Sequence, residues 1–186
     1  MSNVLIGIIG VILFIGLALA GALFLGPRFQ ESTINSKAAA SVQAVSQTAH
    51  AATLYQTTSG ASLANALDSA TTLRDAGYLK SIPGNPVIAA NVPFSIGTLG
   101  GIARDGDSTR ASYVLMYLGQ SSTARDICIA IERQLGHVER LDKTTMETTV
   151  DFFTHAGEGK AGCHRNSGSF GDNGGTVGDY LVFYSI

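Results

Sequence analysis

From Val4 to Gly26 the chain runs without a single charged residue. At helical rise this stretch spans about 35 Å, enough to cross a bilayer core. It does not end in a linker. From Pro27 to Thr57 the pattern still reads as helix, now polar on one side. The simplest arrangement is one rod, with its first half in an apolar medium and its second half packed on a domain. Two parts follow: residues 1–27 as a protruding apolar half, and residues 28–186 as a globular domain that includes the amphipathic half of the rod.

The amphipathic half has a regular stripe. Ile34, Ala38, Val42, Val45, Ala49 and Ala52 recur in steps of three and four, and Leu54-Tyr55 closes the pattern. Ser36, Lys37, Gln43, Gln47 and His50 take the opposite side. Continuous helix from Val4 to Thr57 is about 80 Å long and must project beyond a domain of this size.

Three readings compete for the apolar run. A secretory signal peptide needs a basic leader and a short apolar core, whereas only Met1-Ser2-Asn3 precede a longer run here; Ala18-Leu19-Ala20 does mimic a cleavage site. A plain anchor fits the length, but the nearest cations, Arg28 and Lys37, follow the run. The positive-inside rule would place them in the cytoplasm. An exported domain with that arrangement is expected to owe its orientation to a basic leader that has been removed. The third reading is self-packing. Gly7, Gly10, Gly16, Gly21 and Gly26 interrupt the run, and small residues allow apolar helices to approach closely. Each costs about 0.8–1 kcal/mol of helix propensity relative to Ala in water, which gives a solitary anchor little use for them. A kink or short break is expected at Gly26-Pro27, because Pro lacks a backbone donor.

Beyond the rod the order is mixed. A short helical pattern over Ser62–Ala76 (Leu63, Leu67, Ala70, Leu73) stops at Gly77. Pro83-Gly84-Asn85-Pro86 marks a turn. Val92–Ile96 reads as an edge strand, and Gly97–Arg110 as loop. Tyr113–Leu118 is apolar on both alternating faces, as in a strand covered on both sides. Thr123 with Asp126 is expected to open a helix running to Leu135 before Gly136, with Ala124, Ile127, Ile131 and Leu135 on its buried face. Val138–Phe153 is read as one or two strands, Ala156–Gly178 as a Gly-rich loop containing Cys163, and Tyr180–Ile186 as the last strand. The fold class is therefore α+β.

The balance of 12 basic against 14 acidic residues, scattered along the chain, makes no case for a nucleic-acid groove. No nucleophile elbow, H-E-x-x-H or phosphate-binding loop occurs, so neither enzyme nor cofactor is expected. Asp105-Gly106-Asp107 is a fragment of a calcium-loop pattern without its distal glutamate, and Asp172-Asn173 is a turn former. The two loops carrying Asp105, Asp107, Asp172 and Asn173 are candidate binding surfaces. His155, Cys163 and His164 fit no standard zinc spacing. The two cysteines, Cys128 and Cys163, form an even, well-separated pair, which in an exported domain most often makes one disulfide; two separate buried thiols are the alternative.

The layout resembles the type IV pilins, and among them the type IVb branch of toxin-coregulated, bundle-forming and conjugative thin pili. The residues that carry the resemblance begin with the Met-started apolar segment through Gly21-Ala22-Leu23 to Arg28-Phe29-Gln30-Glu31-Ser32. The small-residue helix Ala38–Gln43 to Leu54-Tyr55 and Gly84-Asn85-Pro86 follow. The cysteine-bearing helix Ser122–Leu135 and a second cysteine before a terminal strand complete the set. The resemblance implies a helical spine on an antiparallel sheet and a disulfide-bounded C-terminal region. It further implies a filament of identical subunits whose apolar halves fill the core, with Leu5, the five glycines and Pro27 at the packing positions. By the same token it implies leader removal by a prepilin peptidase, an inner-membrane pool, an assembly platform and an extracellular pilus for adhesion, motility, conjugation or DNA uptake. A membrane-tethered minor pilin acting as adhesin, or a secretion-system pseudopilin, is the alternative within this layout. The chain departs from the family at one position: most members carry glutamate at the fifth mature residue, and here Leu5 stands there, with no acid before Glu31.

Overall fold

The computed structural model describes residues 2–60, 69–88, 95–98, 112–137, 161–165 and 178–186. In chain order they form α1 (Ser2–Ser59), α2 (Ser69–Asp75), β1 (Ser95–Thr98), β2 (Ser112–Gly119), α3 (Ser122–Gln134), β3 (Ala161–Arg165) and β4 (Tyr180–Ser185). The fold is α+β. The strands make an antiparallel sheet of order β1-β2-β4-β3, and the second half of α1 packs against it together with α3.

α1 holds 58 residues and is about 87 Å long. Of the kink or short break expected at Gly26-Pro27, the break does not occur; the helix runs through both residues. Proline removes one donor from the ladder, and the bonds on either side carry the helix on. Past that point the stripe behaves as its spacing requires. Ala38, Val45, Ala49 and Ala52 are buried and Ile34 and Val42 pack against the same core, while Ser36, Gln43, Gln47 and His50 stay exposed. Alanine dominates the buried side, which lets the rod lie close to the sheet. Ser41 and Thr48 satisfy their buried hydroxyls on the carbonyls of Lys37 and Ala44, one turn back.

β2 is buried on both faces from Tyr113 to Leu118. Its Val114, Met116 and Leu118 belong to the core shared with α1 and α3, and the alternating Tyr113 meets Phe183 edge-on at 6.4 Å. β1 lies at the sheet edge, beginning at Ser95; residues 92–94 of the expected strand fall outside the described residues. Gly97 and Thr98, expected in a loop, instead pair with Tyr113 and Ser112. Ladder pairing is a backbone property that a glycine does not advertise in sequence. In α2, Ala70 and Leu73 are buried and Gly77 stops the helix at φ +82°, while Leu63 and Leu67 lie outside the described residues.

Two expectations around the cysteines change. The helix bearing Cys128 is capped by Ser121, whose Oγ accepts from the Ala124 amide at 3.1 Å, and Thr123 already sits inside the first turn. Cys163 lies on a strand rather than in a loop: β3 pairs along β4, with Cys163 opposite Val182. The sequence Ala-Gly-Cys-His-Arg has no alternating apolar pattern, so partnership with the strongly apolar β4 makes it a strand. The segment 138–153 lies outside the described residues.

Candidate functional site

The described side chains in the first half of α1 are exposed almost throughout. Val4, Leu5, Ile6, Phe14 and Leu17 are each more than half exposed, and Leu23 is 77% exposed. This is one helix long and apolar enough to cross a membrane, a test of length and composition that signal sequences also pass. An exposed apolar surface of this extent is incompatible with water and requires a covering.

The glycines lie on that bare rod. A Cβ built at Gly7, Gly10, Gly16, Gly21 or Gly26 would meet no atom within 4 Å. None is required by packing among the described residues. At 3.6 residues per turn Gly7, Gly10 and Gly21 fall within about 60° of one another, whereas Gly16 faces nearly the opposite way. The points of close approach thus lie on more than one side of the helix. Pro27 continues the same helix, and the charge-free stretch ends at Arg28, whose guanidinium stands 3.7 Å from Glu31 on the exposed surface. Leu5, where the resemblance leads one to expect glutamate, is 62% exposed.

At the other end, Cys128 and Cys163 form a disulfide that ties α3 to β3. Beside it lies a residue that the sequence did not single out. Glu132 is fully buried, accepts the Cys163 backbone N–H, and meets His137 Nδ1 at 3.0 Å. Its position four residues after Cys128 was the available signal, since that spacing puts both on one helix face. His164, next along β3, is 2% exposed, and burial pushes its imidazole down to about 4. Cys163 is committed to the disulfide, so it cannot join His164 and His155 in a metal set; His155 lies outside the described residues. Among the described residues no group of three or more metal-ligating side chains converges.

An open groove of about 600 Å³ runs between α1 at Val42, the end of α3 at Leu135 and His137, and the strands at Ala161 and Tyr184. Asp105, Asp107, Asp172 and Asn173 lie outside the described residues. The sequence-derived residues therefore divide between the exposed rod and the disulfide, and the structure does not bring these two groups together. Comparison with protein-family models, with curated proteins and with solved structures gives no match to this chain.

Proposed function

We propose that this chain is a structural subunit of an extracellular type IV pilus-like filament, held in the inner membrane before assembly and polymerised through its apolar helical half. The observation that carries the reading is the bare rod. An apolar helix left exposed among the described residues has glycines on more than one side, none of them needed for packing there. A single anchor needs only an apolar surface, and a dimer seam needs small residues on one side. Close approach from several directions suits a helix surrounded by copies of itself. The unbroken continuation of α1 into the folded domain couples each domain rigidly to such a core.

On leaving the membrane the rod exchanges lipid for neighbouring helices. Its gain is then van der Waals packing and backbone proximity rather than transfer from water. Leu5 removes the need to pair a carboxylate inside that core, where an unpaired charge is costly, and subunits register by shape alone. Prepilin peptidase and an assembly platform are the partners this reading requires. Electron microscopy of sheared surface material from cells producing the chain tests it. Abundant filaments labelled along their length by antibody to the domain are expected, whereas label confined to the cell envelope or to rare tips contradicts a structural subunit.

A further inference from the structure

Cys163 is held to α3 at two points. Its Sγ is bonded to Cys128, and its backbone N–H donates to Glu132 Oε1 from the next turn of the same helix. A fully buried carboxylate is expensive unless its oxygens are bonded, and the second oxygen lies 3.0 Å from His137 Nδ1. The backbone is shaped to admit it. A Cβ on Gly162 would stand 3.1 Å from Glu132 Oε1 and 2.5 Å from Phe183 Cζ. A bare backbone at this position lets the carboxylate and the ring both close on β3. Once the disulfide exists, this second link between the same two elements adds little constraint. Before it exists, the link is a means of bringing the thiols together.

We propose that Glu132 is a positioning residue for closure of the Cys128–Cys163 disulfide: in the reduced chain its carboxylate docks the Cys163 amide on α3 and thereby sets the two thiols face to face. Closure itself needs an external disulfide oxidant. The thiolate of one cysteine attacks it, forming a mixed disulfide and releasing one small thiol. The second thiolate then attacks the protein sulfur and expels the other half. The chain gives up two electrons and two protons, and the oxidant leaves as two thiols. Glu132 takes no part in these transfers; it raises the effective concentration of one cysteine at the other. The role is independent of whether the chain polymerises.

The test is the thiol–disulfide equilibrium of the full-length chain in detergent micelles with reduced and oxidised glutathione, trapped by alkylation. Glu132→Ala is compared with Asn85→Ala, which removes hydrogen bonds that involve neither α3 nor β3. Removing a charge-assisted bond is expected to lower the effective cysteine concentration about tenfold or more in Glu132→Ala, with Asn85→Ala staying within about twofold of the native value. A native value in Glu132→Ala, or an equal fall in Asn85→Ala, overturns the proposal. If circular dichroism shows Glu132→Ala unfolded, Glu132→Gln decides. Its neutral acceptor should give a fall of about threefold or more, and an unchanged value overturns the proposal.

Discussion

The side-chain amide of Asn85 donates to the backbone carbonyl of Tyr117 at 2.6 Å, across 32 residues of sequence. The other end of the same side chain accepts the amides of Val87 and Ile88 at 2.9 and 3.1 Å. One residue thus closes the turn after Gly84 and fastens it to β2, where the register with β4 shifts between Tyr117 and Gly119. Asn85→Ala removes all three of these bonds. A loss of about 1–3 kcal/mol is expected, measured as a lower denaturant midpoint at unchanged slope. A midpoint equal to the native one would show the turn to be held by other contacts.

Reduction of the disulfide should be costly in proportion to the chain it closes. Cys128 and Cys163 are 35 residues apart, which on the chain-entropy account corresponds to about 4 kcal/mol of stability. Thermal melts with and without reductant measure it. A shift much smaller than that expected for a few kcal/mol would mean that the unfolded chain is already constrained.

Acid should weaken the domain through His164. Its native value of about 4 lies below the ordinary 6.5, so between these values the unfolded chain binds the proton that the native chain refuses. The contribution is full above pH 6.5 and is lost as pH falls toward 4, amounting to up to about 3 kcal/mol. Melting temperatures from pH 7.5 to 4.5 should fall accordingly, and the fall should be shallower in His164→Gln. A variant with the native slope would place the acid sensitivity elsewhere.

Gly162 admits no side chain without displacement, because the Phe183 ring occupies the place of its Cβ. Gly162→Ala is expected to cost about 1–3 kcal/mol, as overpacking of a filled core does, and to lower the thermal midpoint. A midpoint at the native value would mean that Phe183 and Glu132 have room to withdraw.

What the sequence revealed follows from what each signal measures. The Ile34–Ala52 stripe was legible because helix burial repeats at a fixed angle, and the same holds for Ile127 and Ile131 on α3. Ser121-Ser122-Thr123 offers three cap-competent residues in succession, and tertiary fit chose the first. β3 was invisible because Ala161–Arg165 borrows its conformation from β4. Glu132 went unread despite its spacing from Cys128, because a carboxylate reads as surface until its bonding partners are seen; one is the His137 ring five residues on, and the other is the Cys163 amide on a strand 31 residues later. At the rod the sequence carried almost everything; the structure added that its glycines have open space beside them among the described residues.

The proposed filament requires that Val4–Gly26 pack against copies of itself. The yield of sheared surface filaments from Gly10→Leu and Gly16→Leu tests this most directly, since a Cβ at either position meets no other atom within 4 Å among the described residues. Both variants are expected to form the Cys128–Cys163 disulfide normally and accumulate in the membrane, while filament yield falls at least about tenfold. Native filament yield from both variants would contradict it.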